Sequence, residues 1–362
     1  MQSKESNTKI NTLLHSPLLY IHIPFCDSKC NYCAFNSYTN LNHLKKEYFN
    51  AIKKQLLNDI EKFNVTNFET IFIGGGTPST MPISFYEKLF KLLEPFIKNT
   101  QEITIEANPN ASFEWLKEIK NLGVNRISFG AQSFNDEKLK FLNRNHSSLQ
   151  AIKTIENAKK AGFDNINLDI IYSTALDTYA LLQNDLKTID SLPITHISAY
   201  SLMIEENTKW EGDFSKRKED EKLEIWFIDE VKKRFNQYEI SNFGKKCLHN
   251  LGYWKHKEYL GIGAGAVGFI KNFRYYTQND VYEYIKNPIN HKYEHLNKKD
   301  LKKEKIFLGL RSIIGFEKNL LNENEKEKVK ILISEKKLYE KNKKIYSYDF
   351  LLADAISAYI LD

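Results

Sequence analysis

The chain has 362 residues, 42% of them hydrophobic and 13% aromatic, enough for one large domain with a smaller one attached. Its 52 basic and 46 acidic residues leave a net charge of +6, too mild an imbalance to argue for nucleic acid as a partner. No run approaches the ~18–20 apolar residues that span a bilayer, and four cysteines in so long a chain do not resemble the disulfide framework of a small secreted domain.

The opening stretch MQSKESNTKINTLLHSP is polar and has no apolar core of a secretion signal, so a cytoplasmic protein is expected. LLYIHIP (18–24) reads as the first strand, and a loop carrying three cysteines follows it. Over 43–63, Leu44, Tyr48, Ile52, Leu56 and Ile60 recur at helical spacing. Further strands are expected at ETIFIGGG (69–76), EITIEAN (102–108), VNRISFGAQS (124–133), DNINLDIIY (164–172) and HISAYSLMI (196–204), with another helix over 149–162. Strand then helix, six times over, predicts an α/β fold with a parallel sheet and helical crossovers, a partial (β/α)6 barrel in preference to a flat doubly wound sheet. After about residue 205 the pattern changes to a polar helix (217–235), YEISNFG, a glycine-rich block, and a Lys/Glu-rich tail from about 295. The expected organisation is a polar segment (1–17), a barrel core (18–235), a linking segment packed on it (236–294), and a small, mainly helical C-terminal domain (295–362) with solvated charged faces.

Cys26, Cys30 and Cys33 stand within eight positions, spaced C-x3-C-x2-C. A structural zinc site takes four ligands, usually in two separated pairs, and the nearest histidines are His22 and His43. Zinc is a poor match, and a disulfide would leave one thiol over. Three thiolates on a 4Fe–4S cube explain the number better, because they leave one iron open to a chelating ligand. The later strands supply groups that would converge on such a ligand at their carboxyl ends. Glu106 shares a face with Thr104. Ser128, Gly130 and Gln132 share one in the fourth strand, and Asn167 and Asp169 in the fifth. The Gly74-Gly75-Gly76-Thr77-Pro78 loop lets backbone approach closely, although a flexible turn reads the same way.

The cysteine spacing, with the aromatic Tyr32 just before the last cysteine, resembles the radical S-adenosylmethionine (SAM) superfamily. YIHIPFC, FIGGGTPS, IEANP, ISFGAQSF, HISAYSLMIE and YEISNF look like its coproporphyrinogen III oxidase-like branch, over most of the first 270 residues. The resemblance implies that Cys26, Cys30 and Cys33 hold a 4Fe–4S cluster whose open iron takes SAM. It also implies SAM contacts from Tyr20, Tyr32, Gly75, Gly76, Thr77, Glu106, Gln132 and Asp169, and from Arg144 on the helix after the fourth strand. One departure stands out. The branch usually continues after the Asp169 position with a Gly-Leu-Pro turn, where this chain has Ile171-Tyr172-Ser173-Thr174-Ala175.

Within the branch, an oxygen-independent coproporphyrinogen III oxidase competes with a haem chaperone. Against the oxidase, the extra cysteine two places after the third is absent, where Phe35 stands, and only about twenty residues precede the first strand. For the chaperone, His249-Asn250-Leu251-Gly252-Tyr253-Trp254 matches the HNxxYW motif of the HemW group. An imidazole can ligate haem iron and aromatics offer flat apolar surface. The residues alone also allow His249 to bond a loop while Tyr253 and Trp254 fill an interface. The expectation is haem binding and delivery to haem-requiring acceptors of the respiratory type, with a reductant protein and peripheral membrane contact left open. Gly261-Ile262-Gly263-Ala264-Gly265-Ala266 lacks the Lys-Ser/Thr of a phosphate loop and reads as a close-packed backbone crossing. Cys247 is either a further ligand or a buried thiol, the latter preferred.

Overall fold

The computed structural model describes Leu14 and residues 16–362, and the segment expected over 1–17 lies almost wholly outside the described residues. The chain runs β1 (Leu18–Ile23), α1 (Lys45–Lys62), β2 (Thr70–Gly75), α2 (Ile83–Leu93), β3 (Glu102–Ala107), α3 (Phe113–Asn121) and β4 (Arg126–Gln132). It continues through α4 (Asp136–Phe141), α5 (Ser148–Lys160), β5 (Ile166–Tyr172), α6 (Tyr179–Ser191) and β6 (His196–Ser201). These six strands are parallel and pair in chain order.

Side-chain alternation explains the curl. Ile21, Ile73, Ile105 and Ile127 lie opposite one another in register and, with Leu168 and Ile197, are fully buried under the helices. The other face carries Tyr20, Phe72, Thr104, Ser128, Asn167 and Ser198, a largely polar row that lines the inside. The helices present the apolar stripes expected. α1 buries Tyr48, Ile52, Leu56 and Ile60, while Leu44 falls in the short 3-10 turn ahead of it. It also buries Gln55 and Asp59, which an apolar stripe does not predict.

The segment after α7 (Glu221–Arg234) does more than link. β7 (Asn242–Gly244) joins β6 antiparallel. α8 (Leu248–Trp254) then leads to β8 (Tyr259–Ile262), which pairs parallel with β1. β9 (Val267–Ile270), β10 (Phe273–Tyr276), α9 (Val281–Lys286) and β11 (Lys292–His295) follow, their strands antiparallel. The result is an eleven-stranded sheet, β11-β10-β9-β8-β1-β2-β3-β4-β5-β6-β7, open at both ends. The glycine-rich block is the end of β8 and its tight return into β9. Gln55 holds it: its Nε2 donates to the Gly261 carbonyl (2.9 Å) and its Oε1 accepts from the Gly263 N–H (3.0 Å) and the Tyr284 hydroxyl (2.7 Å).

The C-terminal domain comprises α10 (Lys298–Leu310), β12 (Phe316–Glu317), α11 (Glu323–Ser334), β13 (Leu338–Lys341), β14 (Lys344–Ser347) and α12 (Ala353–Leu361). It has its own core around Ile306, Leu310, Phe316, Val329, Ile345 and Ile360. α10 and α11 each open on a capping box, Asn297 with Asp300 and Asn322 with Glu325. The small β12-β14-β13 sheet is an addition to the expected helices. Among the described residues no helix is long and apolar enough to cross a membrane.

Candidate functional site

Two cavities occupy the inner face, and they meet at one loop. The first, about 410 Å³, lies at the carboxyl ends of the parallel strands. Its lining includes Cys26, Cys30, Tyr32, Cys33, Gly75, Gly76, Thr77, Glu106, Gln132, Arg144 and Asp169, so all but one of the residues expected here come together.

The cysteine loop is pinned from several sides. The Lys29 ammonium donates to the Phe35 carbonyl (2.7 Å) and to Ser37 Oγ (2.7 Å), the Asn31 amide to the Phe141 carbonyl (2.9 Å), and the Cys26 N–H to the Tyr38 carbonyl (3.0 Å). The sulfurs receive donors too: Thr77 Oγ1 to Cys26 Sγ at 3.4 Å and Arg144 Nη1 to Cys30 Sγ at 3.0 Å. Arg144 stands in the turn beyond α4, not on a helix as expected. Its Nη2 bonds the Gly130 carbonyl (2.6 Å) and Asn108 Oδ1 (3.0 Å), which fixes the guanidinium across the cavity.

The glycines of the β2 loop are required by space. Gly75 has φ +112°, and a Cβ there would meet the His22 ring at 2.5 Å. A Cβ on Gly76 would meet the Phe25 carbonyl oxygen at 2.8 Å and Cys26 Sγ at 3.0 Å. Among the described residues no group of His, Cys, Asp and Glu is gathered closely enough to hold one metal ion. Thiols ringing a cavity suit a multi-iron cube better than a tetrahedral zinc.

Two carboxyls share this cavity. Burial, and next the charge of Asp169, push Glu106 up to about 8, against the pull of the Gly75 N–H that donates to its Oε2 at 3.0 Å. Burial also raises Asp169, opposed by the Asn167 amide, which donates to it at 2.7 Å. A cationic ligand entering here would relieve both groups. Burial raises the Cys26 and Cys33 thiols, a cost that a metal centre offsets.

The second cavity, about 670 Å³, is lined by Tyr20, Phe72, His249, Tyr253, Phe269 and Phe307, among others, with Ala34 and Phe35 as the wall common to both. Tyr20 is the one expected SAM contact that falls on this side. It sits in mid-strand opposite Phe72, short of the strand end, and its hydroxyl is 3.0 Å from His22 Nδ1. His249 is fully buried near the N-terminus of α8, its N–H donating to Glu102 Oε1 at 3.1 Å. Its Nδ1 is 2.8 Å from Thr70 Oγ1 and its Nε2 is 2.9 Å from the Tyr253 hydroxyl. Both ring nitrogens are thus engaged. Burial, then the charge of Arg126, lower its pKa to about 3, so the ring is neutral.

Trp254 does not line this cavity. Its indole N–H faces the buried Glu239 carboxyl without normal hydrogen-bond geometry. The fully buried Cys247 thiol donates to Glu102 Oε1 (3.3 Å), burial pushes its pKa up to about 12, and it lines neither cavity. The stretch beyond Asp169 turns at Ser173 (φ 65°), with Ile171 on the first cavity. Sequence reasoning missed Asn108 and Tyr200 in the first cavity and Phe72, Phe269, Arg274 and Phe307 in the second. The His196, Ser198, Tyr200 alternation in β6 could have pointed to Tyr200; no local motif marks the others.

Residues 20–175 match the Radical SAM superfamily. The protein named Heme chaperone HemW in Lactococcus lactis subsp. lactis (strain IL1403) is 34% identical over 355 residues, covering 91% of this chain and 93% of that protein. Its namesake in Bacillus subtilis (strain 168) is 36% identical over 320 residues, covering 83% and 84%. Among solved structures, the coproporphyrinogen III oxidase HemN from Escherichia coli, titled a radical SAM enzyme, aligns with a TM-score of 0.80. It covers 96% of this chain and 90% of that one at 19% identity, a likeness of fold.

Proposed function

The chain belongs to the family of the heme chaperone HemW proteins, within the radical SAM superfamily, and on that footing we propose that it binds haem and passes it to haem-requiring acceptor proteins in the cytoplasm. The observation that carries this reading is the second cavity. It is broad and mainly apolar, with seven Phe and Tyr rings, it has His249 and Tyr253 of the HNxxYW motif in its wall, and it adjoins the cysteine cavity only at Ala34 and Phe35. Aromatic rings and apolar walls suit a flat macrocycle.

His249 is the proposed iron contact. With its proton on Nδ1 and Thr70 accepting, Nε2 keeps a lone pair that accepts from the Tyr253 hydroxyl. Displacing one hydroxyl exposes that nitrogen, while Thr70 holds the ring in orientation, as second partners do for metal-bound histidines.

In the first cavity, Cys26, Cys30 and Cys33 are the proposed ligands of a 4Fe–4S cluster. When bound, it would supply an open iron for a chelating sulfonium nucleotide and an electron for its reduction. Arg144 and Thr77 donate to the thiolates, the Gly75-Gly76 backbone lets the ligand approach, and Glu106 and Asp169 take its cationic and hydroxyl groups. Tyr32, Gln132 and Arg144 close the remaining sides.

The test is an anaerobic haem titration of the reconstituted protein, followed by mixing with an apo acceptor. A saturable one-to-one Soret shift and transfer to the acceptor support the reading. Absence of saturable binding rejects it, and conversion of coproporphyrinogen III to protoporphyrinogen at catalytic rates would assign the oxidase activity instead.

A further inference from the structure

The rim of the aromatic cavity carries charge that the haem reading has not used. Arg274 on β10 and Lys257 just after α8 both line it. Each is held by an internal acid: Arg274 Nη2 by Glu304 Oε1 at 2.5 Å, and Lys257 Nζ by Glu69 Oε2 at 2.5 Å. Glu304 belongs to α10 of the C-terminal domain, and its second oxygen takes His256 Nε2 at 2.9 Å. Arg274 also reaches Glu294 at 3.4 Å.

We propose that Arg274 and Lys257 recognise the two propionate carboxylates of the tetrapyrrole, and that Glu304 and Glu69 are the internal carboxylates these displace. The inference rests on the haem reading and adds which edge of the macrocycle enters last. An apolar cavity admits the porphyrin plane but leaves its two carboxylates unpaired unless cations meet them at the mouth.

Two features fit an exchange. First, the pairs are accessible: the side chains of Arg274 and Glu304 are 26% and 27% exposed, and those of Lys257 and Glu69 are 37% and 27%. The structural pair Lys138–Asp177 is 0% exposed on both sides, and nothing from solvent can replace either partner there. Second, carboxylate replaces carboxylate, so the guanidinium keeps its planar fork and the ammonium its point charge throughout. Glu304 retains His256 when it gives up Arg274. The exchange therefore loosens the tie between α10 and β10 and leaves the one between α10 and the turn after α8 in place.

The test compares iron protoporphyrin IX with its dimethyl ester, which has the same ring and no free carboxylates, by Soret titration of the full chain. The unaltered protein should prefer the free acid by about tenfold or more, the scale of one charge-assisted hydrogen bond. Arg274→Gln with Lys257→Gln should bring the two ligands to equal affinity while still binding the ester, which also shows that the cavity is folded. Glu304→Gln should tighten the free acid severalfold and leave the ester unchanged, because a competitor has been removed. Equal affinity of both ligands for the unaltered protein, or a preference that survives in the double variant, overturns the carboxylate assignment and leaves the haem reading standing. If the unaltered chain binds neither ligand, the haem reading falls first and the inference with it.

Discussion

The two cavities share a wall at Ala34 and Phe35, yet they are built in opposite ways. The cysteine cavity is assembled from consecutive strand ends, each delivering groups in chain order, with Arg144, Glu106 and Asp169 each hydrogen-bonded to neighbouring residues. The aromatic cavity is assembled from mid-strand rings of β1 and β2, one helix, the β8–β10 extension, and the first helix of another domain. The first gathers charged and polar side chains and three thiols around a small space. The second is a broader, mainly apolar cleft with the partly exposed ion pairs of Arg274 and Lys257 in its wall. The proposed carrier role would use that difference, since a cargo that must leave cannot be held by a network that never opens.

The sharpest way to break the comparison is to remove one site and ask whether the other survives. Cys30→Ser should abolish iron and sulfide incorporation on anaerobic reconstitution, read by metal and sulfide analysis, while haem titration is retained. Gly76→Ala should act in the same direction more weakly, because its Cβ would press on Cys26 Sγ from 3.0 Å. On the other side, His249→Ala should lower haem affinity by about a hundredfold, ~2.7 kcal/mol. Tyr253→Phe should leave it equal or tighter by removing the competing hydroxyl.

Smaller effects follow from charge. Burial pushes Glu106 up to about 8, so affinity for the cationic nucleotide should rise as pH climbs toward that value and Glu106 ionises, and level off above it. Isothermal titration should find this slope in the unaltered protein and a flat, weaker profile in Glu106→Gln. For the whole chain, burial is the leading cause that lowers His249 to about 3 and His146 and His291 to about 4, from an ordinary 6.5. The unfolded chain takes up protons below pH 6.5 that the folded chain refuses. Stability should therefore fall on acidification from there toward 4 and be constant on this account above it. Urea melts across that window test the sign.

Much of the first cavity was legible because its signals are local. Cysteine spacing, strand alternation around Glu106 and Asp169, and the Gly75-Gly76 turn each occupy a few residues, and parallel strands bring such ends together by rule. Arg144 was expected on a helix, because Asn143, a residue that can adopt the left-handed conformation that ends a helix, was not read as the stop it is (φ 58°). Tyr20, expected beside the cysteines, lines the second cavity, because both cavities share the same inner face and one strand position decides between them. The second cavity was half legible. The HNxxYW residues were singled out, but Arg274, Glu304 and Phe307 carry no pattern apart from a charged tail that composition reads as solvated. The β8–β11 extension was hidden for a related reason. Gln55 and the buried Asp59 anchor that side from within a helix whose apolar stripe looked complete without them.

The most direct test of the central claim, two adjoining sites with separate ligands, is haem stoichiometry in a variant with Cys26, Cys30 and Cys33 all changed to Ala, purified without oxygen. One haem per chain, with an affinity that excess SAM does not compete away, is the predicted result. Loss of haem binding together with the cluster, or its displacement by SAM in the unaltered protein, would contradict the account.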